Sequence, residues 1–158
     1  MGRARSLGQL GFVAFERSKE AREAGKPERE VLGHLKEAVR LYGEALELIP
    51  PNAIGDLAVG HNALGAIFAD AGKLDDALRH YREAIRYEEM QGNLYGAAQT
   101  QHNVAVALAK AGRLADAKEY ALAALRNYQT YGDRAADKIQ KTLQLIGLIE
   151  QLSKAQGA

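Results

Sequence analysis

From Val31 to Ile49 the apolar positions fall in steps of four and three: Val31, Leu35, Ala38, Tyr42, Ala45 and Ile49. That spacing returns to one face of a helix and predicts a single apolar stripe. Similar spacing recurs at Leu57, Leu64 and Phe68, and again at Ala77, Tyr81, Ala84 and Ile85. Between the runs stand Gly25-Lys26-Pro27, Pro50-Pro51, Gly72, Gly92-Asn93, Gly112 and Gly132-Asp133. Glycine ends helices through a left-handed residue, and paired prolines cannot continue one. The pattern therefore predicts seven helices: about 7–24, Pro27 to Ile49, 57–71, 74–90, 97–111, 114–131 and 134–154. Pro27 suits a first helical turn, and Glu28 and Glu30 suit the positive end of the helix it opens. Ser6, with Gln9 three residues on, reads as a helix N-cap. No stretch alternates apolar and polar residues long enough to suggest a sheet.

The chain repeats itself. Ala69 to Ala77 (Ala-Asp-Ala-Gly-Lys-Leu-Asp-Asp-Ala) matches Ala109 to Ala117 (Ala-Lys-Ala-Gly-Arg-Leu-Ala-Asp-Ala) at an offset of 40 residues. Ala84, Arg86 and Gly92 recur as Ala124, Arg126 and Gly132 at the same offset. A weaker third copy places Ala38, Tyr42 and Ala45 ahead of Ala77, Tyr81 and Ala84 by 39. A fixed period of this size marks stacked helical hairpins.

On these residues the sequence resembles the tetratricopeptide repeat family. Leu64-Gly65, Phe68, Gly72, Ala77, Tyr81 and Ala84 carry the pattern most fully. The next copy keeps Gly112, Ala117 and Ala124, but has Val104-Ala105, Leu108 and Ala121 at the other places. The first keeps Ala38, Tyr42, Ala45 and Pro50, with Leu10-Gly11 as the matching pair on its first helix. The resemblance implies an all-α fold, a right-handed α-α superhelix (a TPR-like solenoid) of three hairpins and a C-terminal capping helix. It covers roughly residues 7 to 154 of a single expected domain, 1–158, with hairpins at about 7–49, 57–90 and 97–131 and the last helix at about 134–154. The period exceeds the roughly 34 residues usual for this repeat. The longer type looks like arrays in bacterial multidomain signalling proteins.

Composition narrows the function. Twenty-one basic and 20 acidic residues leave a net charge of +1, with no pull toward nucleic acid or an anionic membrane. Cysteine is absent, which removes disulfides, thiolate metal sites and cysteine nucleophiles and fits a cytoplasmic protein. No apolar run approaches a membrane span. Residues 1–15 lack the cleavage site of a signal peptide, and although Met1-Gly2 with Ser6 matches a loose myristoylation pattern, that pattern is short and Ser6 is read instead as the N-cap.

No nucleophile elbow or phosphate loop occurs. Of the four histidines, Asp76 and His80 share a four-residue spacing, while His61 and His102 sit one position off equivalence in successive copies. Neither arrangement predicts a metal site. The carboxylate pairs Asp75-Asp76 and Glu88-Glu89 read as solvent-facing charge. The chain is thus expected to hold no cofactor or metal and to perform no catalysis.

The expected activity is binding a partner protein or peptide. The resemblance places Asn62, Ala66 and Asp70 of one copy, and Gln99, His102, Asn103, Val106 and Lys110 of the next, on the concave groove. An alternative is a regulatory sensor that takes a small peptide or ligand within a larger signalling protein. Both end helices are apolar on more than one side. The first has Leu7, Leu10, Val13 and Ala14 on one side, with Phe12 and Phe15 nearly opposite. The last has Ile139, Leu143 and Ile146 along one stripe, and Leu145, Leu148 and Leu152 along another. Phe12, Phe15, Leu145, Leu148 and Leu152 are therefore candidates for self-association, as a homodimer through an end helix, or for docking on a neighbouring domain. The alternative is a last helix that bends into the groove and buries both stripes.

Overall fold

A computed structural model describes residues 2–157. Among them the chain is all-helical, with seven α-helices packed in consecutive pairs. These are α1 (Gly2–Glu23), α2 (Glu28–Leu48), α3 (Ile54–Asp70), α4 (Leu74–Met90), α5 (Leu94–Lys110), α6 (Leu114–Gln129) and α7 (Ala136–Gly157). A short 3-10 turn, Gly132–Ala135, precedes α7.

The repeated glycines end their helices in the same way. Gly72 and Gly112 have φ of +75° and +79°, a region open to glycine at low cost. At each, two hydrogen bonds close the helix: Gly72 N–H to the Ala69 carbonyl and Lys73 N–H to that of Phe68, then Gly112 to Ala109 and Arg113 to Leu108. This double closure satisfies carbonyls the helix would leave open. α2 stops differently: Ile49 is extended (φ −79°, ψ 124°), the conformation a following proline imposes.

Three local readings need correction. Ser6 is no N-cap; it lies inside α1, which begins at Gly2, and its hydroxyl donates to the Gly2 carbonyl at 3.0 Å. Pro27 stands just outside α2 as its cap residue, with Glu28 and Glu30 in the first turn. Helix α7 starts at Ala136, later than Arg134, because the 3-10 turn turns Ala135 into the core.

The chain divides into two compact units, one up to Glu83 and the other from Ala84, so the boundary falls within α4. In the first unit α1 packs on α2 through small residues: Ala4, Gly11, Ala14, Ser18 and Ala21 are buried. Of these, Ala14 and Ala21 share a cluster with the larger Val31, Leu35 and Leu41 of α2 and with Ile67 of α3. Small opposite large lets two helices approach closely without voids. This corrects the faces assigned to α1 from sequence: Leu10, Phe12 and Val13 are exposed, while Phe15 and Leu7 pack at the edge of the core. Close approach is sharpest at two glycines. A Cβ on Gly11 would lie 2.8 Å from the Tyr42 ring, and one on Gly65 2.6 Å from the Tyr81 ring.

In the second unit Ala98, Ala124, Tyr128 and Ala135 form a buried cluster flanked by Tyr95, Tyr131 and Ile139. Tyr95 meets Tyr128 and Tyr131 edge-on, each at 5.4 Å between ring centres. The Tyr131 hydroxyl accepts from the Tyr95 N–H at 3.0 Å, and Asn93 accepts from Gly96 N–H at 2.9 Å, so the first turn of α5 is doubly capped. Along α7 the buried positions are Thr142, Ile146 and Ile149. Leu143, placed by sequence with Ile139 and Ile146, is 51% exposed.

Candidate binding surfaces

The stripe of small residues that joins α1 to α2 leaves Phe12 and Val13 of α1 outside the core. They form one wall of an apolar cleft in the first unit. Phe12 and Val13 of α1 face Tyr42 and Ala45 of α2, Ile49 just after it, and Val59 of α3, around a volume of about 460 Å³. Gly8 and Gly60 line it too and contribute no side chain to fill it. Phe12 is 55% exposed and Val59 68% exposed, although both are apolar. Arg5 of α1 and Asp56 of α3 also line the cleft and give it charge of both signs. Burial holds the Tyr42 phenol above its ordinary pKa. Pockets of this size and lining accept apolar side chains or small molecules.

The expected groove residues are distributed over both units. In the first, Asn62 and Ala66 are half-buried, and the exposed Asp70 forms an ion pair of 2.9 Å with Arg22. In the second, Gln99, Asn103 and Lys110 are exposed and Val106 is half-buried. His102 is half-buried and its Nδ1 lies 3.1 Å from the Thr142 hydroxyl. That hydroxyl donates to the Lys138 carbonyl at 2.8 Å, so it accepts from His102 Nδ1–H. Burial, with Lys138 and Lys141 nearby, holds the imidazole below its ordinary pKa. Among the self-association candidates, Leu148 and Leu152 are exposed, Leu145 is half-buried, Phe12 belongs to the cleft and Phe15 packs on the core. Sequence reasoning missed Arg5, Val13, Asp56 and Val59 as cleft residues. Their signal was an apolar Val59 lying off the Leu57, Leu64 and Phe68 stripe of its own helix.

Two polar features also depart from the sequence reading. Glu88, read as solvent-facing, is 6% exposed. Its Oε1 accepts from the Thr100 hydroxyl at 3.1 Å, while Oε2 is buried without a partner. Burial pushes its pKa up to about 7; the Thr100 bond opposes the rise and the Glu89 charge adds to it. His61 pairs with neither the position nor the partner considered from sequence. It meets His80 within the first unit, their Nδ1 atoms 3.1 Å apart.

Among the described residues no helix is long and apolar enough to cross a membrane. No family model matches the chain, and no curated protein matches it. Solved structures do. The crystal structure of aspartyl phosphate phosphatase F from Bacillus subtilis matches with a TM-score of 0.57 and 16% identity, over 98% of this chain and 42% of that one. The crystal structure of BtubC (BKLC) from P. vanneervenii matches with a TM-score of 0.59 and 17% identity, over 94% of this chain and 65% of that one. The chain thus spans less than half of the first and just under two thirds of the second. At such identities the likeness is one of fold, and the fold is that of a TPR-like helical repeat.

Proposed function

We propose that this chain is an interaction module of the tetratricopeptide type, which binds an apolar stretch of a partner protein in the cleft between α1, α2 and α3. The observation that carries the reading is Phe12, Val13 and Val59 left exposed around a cleft of about 460 Å³. Exposed apolar surface gathered around a concavity is the usual mark of a contact site. The preferred segment carries one or two bulky apolar side chains, with an acidic residue toward Arg5 and a basic one toward Asp56. Binding, with no catalytic step, is the activity. One similar structure bears the name of a phosphatase, but that likeness extends to the fold alone.

A displayed random-peptide library tests this. Selected peptides should share a bulky apolar anchor and lose at least tenfold in affinity against Val59→Asp and Phe12→Ser. Both positions are exposed, so each variant should keep its helicity. Peptides that bind both variants as well as the parent would refute the assignment. A second reading, self-association through α7, is favoured by the exposed Leu143, Leu148 and Leu152.

A further inference from the structure

We propose that His61 and His80 form a two-nitrogen site for a divalent transition-metal ion, Cu²⁺ in preference to Ni²⁺ or Zn²⁺. This departs from the expectation drawn from the sequence, where His61 and His102 fell out of register and Asp76 stood as the partner of His80. The hairpin of α3 and α4 instead brings the two imidazoles together, with Nδ1 atoms 3.1 Å apart and ring centres 5.3 Å apart.

The spacing suits chelation. Two nitrogens each about 2.0 Å from one ion are about 2.8 Å apart when cis on a square-planar centre, and about 3.3 Å apart on a tetrahedral one. The observed 3.1 Å lies between them. The His80 ring is also held in place. Phe68 stacks on His80 with 5.4 Å between centres and planes 9° apart, which fixes that ring while its Nδ1 edge stays toward His61. Preorganised ligands lose less freedom on binding.

Both rings must be neutral to ligate. Burial, then the neighbouring His61 and Arg79, hold His80 below its ordinary pKa, against the opposing pull of Asp76 and Glu83. In the metal-free pair one Nδ1 carries a hydrogen and the other accepts it. Binding shifts that hydrogen to Nε2 of its own ring through solvent, so a neutral pair releases no net proton. No group of three or more ligand-type side chains occurs among the described residues. The ion would keep its remaining positions for water or for a side chain of a bound partner. Imidazole donors with open positions favour Cu²⁺ over the other divalent ions in the order of general affinity.

Titrating the full chain with CuSO₄ at pH 7.5, read by electron paramagnetic resonance and electron spin-echo modulation, tests the site. The parent should bind one Cu²⁺ with the modulation pattern of two imidazoles. His61→Asn and His80→Asn should each lower affinity tenfold or more and leave a one-imidazole pattern. His34→Asn and His102→Asn should match the parent. His80→Asn also removes the stack on Phe68; should that variant fail to fold, the parent spectrum and His61→Asn decide the matter. A parent spectrum with one imidazole or none, or an unchanged spectrum and affinity in His61→Asn, overturns the proposal.

Discussion

Replacing Glu88 by Gln should stabilise the protein at alkaline pH and do little at acid pH. The glutamine keeps the size of the side chain and can still accept from Thr100, but it never ionises. In the folded chain the carboxyl pKa stands at about 7, against an ordinary value of 4.5. Folded Glu88 therefore holds its proton through a range in which the unfolded chain has released it. Its contribution is fully present below pH 4.5 and is lost progressively as pH rises to about 7. At 1.36 kcal/mol per unit, the loss amounts to about 3 kcal/mol as a ceiling, which solvent entry on ionisation would reduce. For a chain of this size that corresponds to melting temperatures differing by roughly 2–4 °C per kcal/mol. The assay is urea or thermal unfolding of parent and Glu88→Gln at pH 4.5, 6 and 8. Taking the difference between the two proteins at each pH removes the titration of groups that do not interact with Glu88. The advantage of Gln should open between pH 4.5 and 7 and then level off. A difference that stays constant with pH, or that narrows as pH rises, refutes the burial argument.

Two further substitutions probe packing and assembly. Gly65→Ala puts a Cβ 2.6 Å from the buried Tyr81 ring and should cost about 1–3 kcal/mol. Gly33→Ala, which meets nothing within 4 Å on α2, should gain up to about 1 kcal/mol from helix propensity. Melting curves in which Gly65→Ala is the more stable of the two would disprove the close approach of α3 and α4. If α7 mediates pairing, light scattering should show a dimer that Leu148→Glu converts to monomer with helicity kept, since Leu148 is 51% exposed. A parent that remains monomeric at high concentration removes that reading.

The helices and their turns were legible in the sequence because the signals are local. Glycine at the left-handed turns, prolines after α2 and the stripe of Ala77, Tyr81 and Ala84 each act within a few residues of where they stand. The buried face of α1 was not legible in the same way. Hydrophobic pattern weights large side chains, and there Leu10, Phe12 and Val13 outweigh Ala4, Gly11, Ala14, Ser18 and Ala21. Yet α2 already supplies the bulk at that contact, so the helix turns its smaller face inward. Glu88 escaped because its burial depends on Thr100, twelve residues on, reaching it from α5. The meeting of His61 with His80 depends on the register between α3 and α4, which comparing one repeat with the next does not reveal. For the cleft, the residues exist in sequence as ordinary helix positions, and only the small-residue packing of α1 on α2 leaves them uncovered.

The tyrosines of the second unit give the molecule an optical reporter. The chain has no tryptophan and seven tyrosines, so its near-ultraviolet absorption and intrinsic emission come almost wholly from phenol rings. Three of them, Tyr95, Tyr128 and Tyr131, sit edge to face in one cluster between α5, α6 and the 3-10 turn. Rings locked in an asymmetric setting give near-ultraviolet dichroism that vanishes when packing loosens, even while helices persist. That signal would therefore be weighted toward the packing of the second unit, while far-ultraviolet dichroism reads the helices of both. Recording the two together distinguishes loss of the tyrosine packing from loss of helix, without adding a label to the chain.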